Sequence, residues 1–187
     1  MLTEFTTESV GEGFDRRIFI KKEGKKISPW HSIPLRAQEQ NVFNCVFEIA
    51  REELPKMEVT LDEEFNPIKQ DLLKRDGNVR LREYGMPPLF NYGMMPQTWE
   101  NENSKDPKYG LQVSTYSKSQ GDNDPLDVVE VGNNKFGTGA VVQVRVLGAL
   151  CLIDQGELDW KILVVNNEEF NNDNKVSSIY TLLAKEH

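Results

Sequence analysis

Three carboxylates, Asp122, Asp124 and Asp127, fall within six positions of the stretch GDNDPLDVVE, which then runs straight into Val128 and Val129. Like charges ~4 Å apart repel by about 4 kcal/mol at an effective dielectric of about 20, so such crowding calls for open water or a cation. Pro125 sets its own φ and pushes Asp124 out of helical geometry, which makes the segment a turn leading into a strand. Taken alone, the triplet reads as a solvated Asx turn. The other acidic positions of the chain argue for the cation.

In LIDQGELDWKILVV, Asp154 and Asp159 flank the four residues 155–158, a hairpin length with Gly156 for the tight position. This reading places the two carboxylates opposite each other, about 5 Å apart at their β-carbons, where a bridging cation would relieve their repulsion. Lys161, two residues beyond Asp159, shares its face. A plain surface turn explains the stretch equally well. In KMEVT, Lys56 and Glu58 alternate with Met57 and Val59, so one strand face is charged and the other apolar; an outward salt-bridge pair is the ordinary reading. Glu48 lies between Phe47 and Ile49, and a carboxylate in an apolar run needs a partner. Arg80 and Arg82 alternate in NVRLREYG, with Tyr92 further on before Gly93. Arginine offers a planar donor fork suited to phosphate oxygens and tyrosine a hydroxyl, although an exposed arginine pair is the plainer reading. Together these residues are hard oxygen ligands with a few cationic and phenolic donors. The set points to Mg²⁺ or a close relative and to a phosphate polyanion.

Three rival motifs fail on the letters. A calcium-binding helix–loop–helix counted from Asp122 requires Gly at its sixth position and Glu at its twelfth, where the chain has Asp127 and Asn133. An aspartyl-nucleophile phosphatase needs an apolar strand before its DxD, and STYSKSQG stands there instead. Walker loops and nucleophile elbows have no counterpart.

The elements that must hold these residues are short. RIFIKK, NVFNCVFEI, KMEVT, VRLREY, LDVVEV and ILVV show the two-residue period of half-buried strands. GAVVQVRVLGALCLID is the longest, with Gly148 as a bend or bulge. Residues 1–13 read as a mobile arm, NPIKQDLLKRDGN and residues 85–110 as turn and loop, and Val176, Ile179, Tyr180 and Leu183 as a terminal helix after an Asn/Asp-rich loop. Many short strands with Gly/Pro-rich connections favour an antiparallel barrel over a βαβ sheet. The 187 residues are 38% hydrophobic and 28% charged, which fits one globular domain. A net charge of −8 disfavours general binding to nucleic acid or anionic membrane. Cys45 and Cys151 are far apart, and His31 and His187 are the only imidazoles, so neither a disulfide framework nor a zinc site is indicated. No leader pattern or apolar run of membrane length occurs, and a cytoplasmic address is expected.

GDNDPLDVVEVG is similar to the signature of the soluble, Mg²⁺-dependent inorganic pyrophosphatases of family I. SPWHSIPL, NVFNCVFEI, KMEVT, NPIKQD, NYGMMPQTWE and DQGELDWKI resemble the eukaryotic branch in the same order, over residues 14–165. The resemblance implies a mainly β (α+β) single domain over residues 1–187, an OB-like closed five-stranded barrel with peripheral hairpins and short helices, lacking the family's C-terminal helical portion. It implies hydrolysis of inorganic diphosphate by a metal-activated water, several Mg²⁺ ions with Mn²⁺ as substitute, and a homodimer. By position, Asp122, Asp127 and Asp159 resemble the main metal ligands, Asp154 and Glu58 serve further ions, and Glu48 supports them. Asp124 resembles the carboxylate that takes the proton of the attacking water, and Lys56, Arg80, Tyr92 and Lys161 the phosphate donors. Two departures stand out: Pro88 replaces a family tyrosine, and Tyr180 and Lys185 lack the spacing of a family Tyr-Lys pair that grips the leaving phosphate. Asn166 and Asn167 also fall where the family tends to be acidic. The departures imply weak turnover for this chain, and the alternative is a catalytically silent homologue acting as a binding or regulatory subunit.

Overall fold

The computed structural model describes residues 2–102, 120–154 and 157–172. Nearly all of its regular structure is strand. An N-terminal sheet contains β1 (Phe5–Val10), β2 (Arg17–Lys22), β3 (Lys25–Ile27), β5 (Met57–Val59) and β6 (Ile68–Gln70), in the order β1-β2-β6-β5 with β3 also paired to β2. A closed barrel follows the order β10-β12-β11-β4-β9, from β4 (Phe43–Ile49), β9 (Asn91–Met94), β10 (Asp127–Glu130), β11 (Val141–Asp154) and β12 (Glu157–Asn166). The hairpin of β7 (Leu72–Arg75) and β8 (Asn78–Leu81) stands apart, and a short helix α1 (Asn167–Asn172) follows β12. The expected OB-like five-stranded ring is therefore present. Among the described residues no helix is long and apolar enough to cross a membrane.

β4 joins the two layers because side chains on its two faces feed different cores. Val46 and Ile49 pack with Ile18, Ile20, Met57, Val59 and Ile68 of the N-terminal sheet. Cys45 and Phe47 pack with Val128, Val142, Val144 and Val164, all from barrel strands. Each such aliphatic side chain, fully buried, contributes about 1.5–3 kcal/mol. That joint burial holds the sheet against the barrel, and the charged site lies where the two meet.

Several expectations change. Part of the expected mobile arm is β1, which pairs with β2 from Phe5↔Lys22 to Val10↔Arg17. β1 is a partly exposed edge strand, so it lacks the apolar alternation that marks a half-buried one. The segment read as loop over residues 66–78 carries β6 and β7. Asp76 and Gly77 both have positive φ, 52° and 75°, the two-residue hairpin geometry that an Asp-Gly pair favours. Asn, Gly and nearby prolines disfavour a strand over β9, yet it sits inside the barrel. A β-carbon on Gly93 would stand 2.1 Å from the Val46 carbonyl oxygen, so only glycine lets β9 approach β4. Helix α1 occupies part of the expected Asn/Asp-rich loop. The terminal helix expected around Val176 to Leu183 lies outside the described residues. The bulge expected at Gly148 is present as a register shift between Val146 and Gly148.

Candidate active site

A cavity of about 840 Å³ opens between the N-terminal sheet and the barrel. Its walls carry Glu48, Lys56, Glu58, Tyr92, Asp122, Asp124, Asp127, Asp154, Asp159 and Lys161, residues drawn from six separate segments. Glu48 reaches it from the β-bulge in β4, where pairing with β9 shifts between Phe47 and Ile49. Its carboxylate accepts the Val59 N–H at 2.7 Å, the partner that its apolar surroundings demanded. Burial first, and then the charge of Asp127, holds the Glu48 carboxyl well above the usual range.

On the barrel wall, the parallel register of β10 and β12 sets Asp127 beside Lys161. The Lys161 ammonium donates to Asp127, to Asp159 and, at 2.8 Å, to the Tyr92 hydroxyl. Burial opposes the lysine's charge, but the two carboxylates outweigh it and raise its pKa. Burial likewise lifts Asp127 to about 6 against the pull of Lys161. On the opposite wall, Lys56 pairs with Glu58 at 3.0 Å and with Asp71 at 3.3 Å, and Arg82 pairs with Asp71 at 2.8 Å. Backbone bonds fasten Lys56, Arg82 and Asp71 side by side: Lys56 N–H to Arg82 O, Arg82 N–H to Asp71 O, and Asp71 N–H to Lys56 O.

Two expected placements differ. Arg80 points into no part of this wall: it lies exposed on β8, paired with Leu73, whereas Arg82 lines the cavity. β8 ends at Leu81, and the backbone bonds of Arg82 turn that residue toward Lys56. Asp154 and Asp159 are not opposed; the hairpin pairs Asp154 with Glu157 and Asp159 with Leu152, because β12 begins two residues earlier than a four-residue loop allows.

The third wall is the loop carrying Asp122 and Asp124. The Asp124 N–H bonds the Asp122 carboxylate at 3.0 Å, an Asx turn. Asp124 is solvent-exposed on its outer side, yet desolvation and then Asp122, Asp127 and Glu58 raise its carboxyl to about 6. Behind this loop stands Glu100, which sequence reasoning missed. It is 7% exposed, and burial, followed by Asp122, Asp127 and Asp159, pushes it up to about 8. One oxygen accepts the Trp160 N–H at 3.1 Å; the other, Oε2, is buried without a partner. Ligand atoms of Glu100, Asp122 and Asp159 lie within 4.8 Å of one another. A buried carboxylate with one unpartnered oxygen, grouped with two further carboxylates, fits a hard divalent cation. Asp71 was missed as well; both residues close stretches that carry the resemblance, NYGMMPQTWE and NPIKQD, but neither stands in an alternating strand pattern that would single it out.

A family model described as inorganic pyrophosphatase matches residues 45–186. The inorganic pyrophosphatase of Eremothecium gossypii is 45% identical over 168 residues, covering 87% of this chain and 55% of that protein. The chloroplastic soluble inorganic pyrophosphatase 6 of Arabidopsis thaliana is 44% identical over 163 residues, 87% of this chain and 50% of that protein. The chain thus spans about half the length of the curated relatives it matches. Among solved structures, the type I inorganic pyrophosphatase of Toxoplasma gondii superposes with a TM-score of 0.75 at 41% identity, over 88% of this chain and 70% of that one. A Trypanosoma cruzi vacuolar soluble pyrophosphatase, truncated at its N-terminal domain and solved with PPi, superposes at 0.74 and 33% identity, over 87% and 64%.

Proposed function

Because this chain belongs to the inorganic pyrophosphatase family, we propose that its cavity hydrolyses inorganic diphosphate to two phosphates with Mg²⁺, for which Mn²⁺ can substitute. The observation that carries the proposal is the charge balance of the cavity wall. Nine acidic side chains line it, Glu48, Glu58, Asp62, Asp122, Asp124, Asp127, Asp154, Glu157 and Asp159, against four basic ones, Lys56, Lys69, Arg82 and Lys161. A polyanionic phosphate would be repelled by that surface unless divalent cations intervened.

Asp122, Asp127, Asp159 and Glu100 are the residues that would hold such ions, with Asp154, Glu58 and Glu48 as further carboxylates around them. When bound, the ions would lower the pKa of water and neutralise charge on the phosphates. Asp124, raised to about 6, is mostly ionised at neutral pH and would accept the proton of the attacking water. The water oxygen bonds to one phosphorus, the bridging P–O bond breaks, and the second phosphate leaves with the electron pair. Lys56, Arg82, Lys161 and Tyr92 donate to phosphate oxygens and orient the anion; Arg82 takes the part that the sequence assigned to Arg80. The test is phosphate release from diphosphate with excess Mg²⁺. Release that stops on chelation supports the reading, and no release at any Mg²⁺ concentration defeats it.

A homodimer and a cytoplasmic address belong to the same proposal. Met86 and Leu89 are 76% and 78% exposed, on a segment bonded to residues 52–54 through Glu52 N–H to Pro88 O and Tyr84 N–H to Leu54 O. An apolar surface of this kind supports self-association, which light scattering reads directly.

A further inference from the structure

Asn123 stands between Asp122 and Asp124 with φ +74°, a left-handed conformation that costs energy for a residue other than glycine. Its loop lies against residues 99–101. Asn123 N–H donates to Glu100 O at 2.9 Å, and Glu100 N–H donates to Asp124 O at 2.8 Å. The approach at Gly121 is so close that a β-carbon there would stand 2.3 Å from the Glu100 carbonyl. One side-chain bond completes the join: Trp99 Nε1–H donates to Asn123 Oδ1 at 2.9 Å.

Trp99 is 51% exposed, so core burial does not account for where its indole points. Its backbone is held from both sides, by the Trp30 indole N–H bonding Thr98 O at 2.7 Å and by the Glu100 bonds just given. From that anchored position its N–H is aimed at the one residue separating the two carboxylates. We propose that Trp99 is a positioning residue for the metal-gathering loop: through Asn123 Oδ1 its indole N–H holds the left-handed turn that directs the Asp122 and Asp124 carboxylates into the cavity. This rests on the reading of the cavity as a divalent-cation and diphosphate site. The bond acts on where the carboxylates stand and leaves their number unchanged, so its loss should be felt in cation affinity and turnover more than in fold stability.

The experiment uses the full chain with Trp99→Phe, which keeps a ring without the N–H, and Asn123→Gly, which keeps the left-handed backbone without the acceptor. Three quantities are read: Mn²⁺ dissociation constant by calorimetry, kcat and KM for Mg²⁺-diphosphate, and the thermal midpoint. Each variant should weaken Mn²⁺ binding about fivefold, the equivalent of one ordinary hydrogen bond. Each should lower kcat about tenfold with KM nearly constant, because a small misplacement of a reacting carboxylate is costly. The midpoint should stay within about 2 °C. The double variant should be no worse than either single one, since both remove the same bond. Unchanged Mn²⁺ affinity in Trp99→Phe, or losses that add in the double variant, would overturn the proposal. Wild-type protein that binds Mn²⁺ but releases no phosphate would defeat the proposed function alone, and the Mn²⁺ constants would then decide the role of Trp99. Wild-type protein that binds no Mn²⁺ overturns both.

Discussion

The barrel wall and the loop rim of the cavity hold similar carboxylates in opposite ways. On the barrel wall Asp127 and Asp159 share the Lys161 ammonium, whose third contact is the Tyr92 hydroxyl. On the rim, Asp122, Asp124 and Glu100 have no ion pair among the described residues, and two of the three are shifted upward by burial and mutual repulsion. The barrel wall is partly neutralised by the protein itself, one ammonium against two carboxylates, whereas the rim has no cation of its own among the described residues. If the cavity binds cations and releases phosphate as proposed, this division would serve both steps. Strands keep fixed charges in register, while the carboxylates of the rim would supply affinity for a cation.

The largest expected effect tests the rim as the chemical side. Asp124→Asn should lower turnover by about 10² to 10⁴ while barely changing Mg²⁺ affinity, as loss of a proton acceptor does. Equal losses in phosphate release and in calorimetric cation binding would make Asp124 a ligand and erase the contrast within the rim. Next comes the barrel wall. Lys161→Met should strand Asp127 and Asp159 without their shared cation and destabilise the metal-free fold by about 3 kcal/mol in urea unfolding. Mg²⁺ should restore part of that loss, since an ion can replace the ammonium between the carboxylates.

The third effect compares two arginines. Arg82→Ala should raise KM for Mg²⁺-diphosphate about tenfold through loss of a charged donor, and Arg80→Ala should leave it within about twofold. A reversal would return the substrate contact to Arg80 and place the β7–β8 hairpin over the cavity.

The smallest effect is in pH dependence. The folded, metal-free chain retains protons on Asp124 and Asp127 up to about 6 and on Glu100 up to about 8. The unfolded chain releases its carboxyl protons near pH 4, so over this window the folded state binds more protons. The stabilisation is complete below the ordinary carboxylate range and is lost as pH rises through about 6 and then about 8. The thermal midpoint without metal should therefore fall as pH rises from about 5 to about 8.5. With millimolar Mg²⁺ the fall should vanish, because ions favour the deprotonated forms. A midpoint that is flat without metal would mean that the cavity carboxylates are compensated from within and have no need of an added cation.

Much of the donor set was legible in local spacing. The alternation of Lys56 and Glu58 with Met57 and Val59, the need of Glu48 for a partner, the shared face of Asp159 and Lys161, and the bulge at Gly148 each follow from a two-residue period or a backbone preference acting over a few positions. The chain's own letters thus determined a β-rich domain whose carboxylates and cations suit hard cations and phosphate. Register and long-range contact lay beyond them. β9 is a strand because Gly93 lets the Val46 carbonyl approach, Glu100 stands beside Asp122 and Asp159 because the loop carrying Asp122 docks on its backbone, and Arg82 rather than Arg80 lines the cavity because bonds to Asp71 and Lys56 turn it inward. Each outcome depends on which distant segments pair, and free energy of that kind comes from burial and hydrogen bonds between residues tens of positions apart. The tertiary structure therefore decided which of the legible donors meet and which carboxylates are left without a partner.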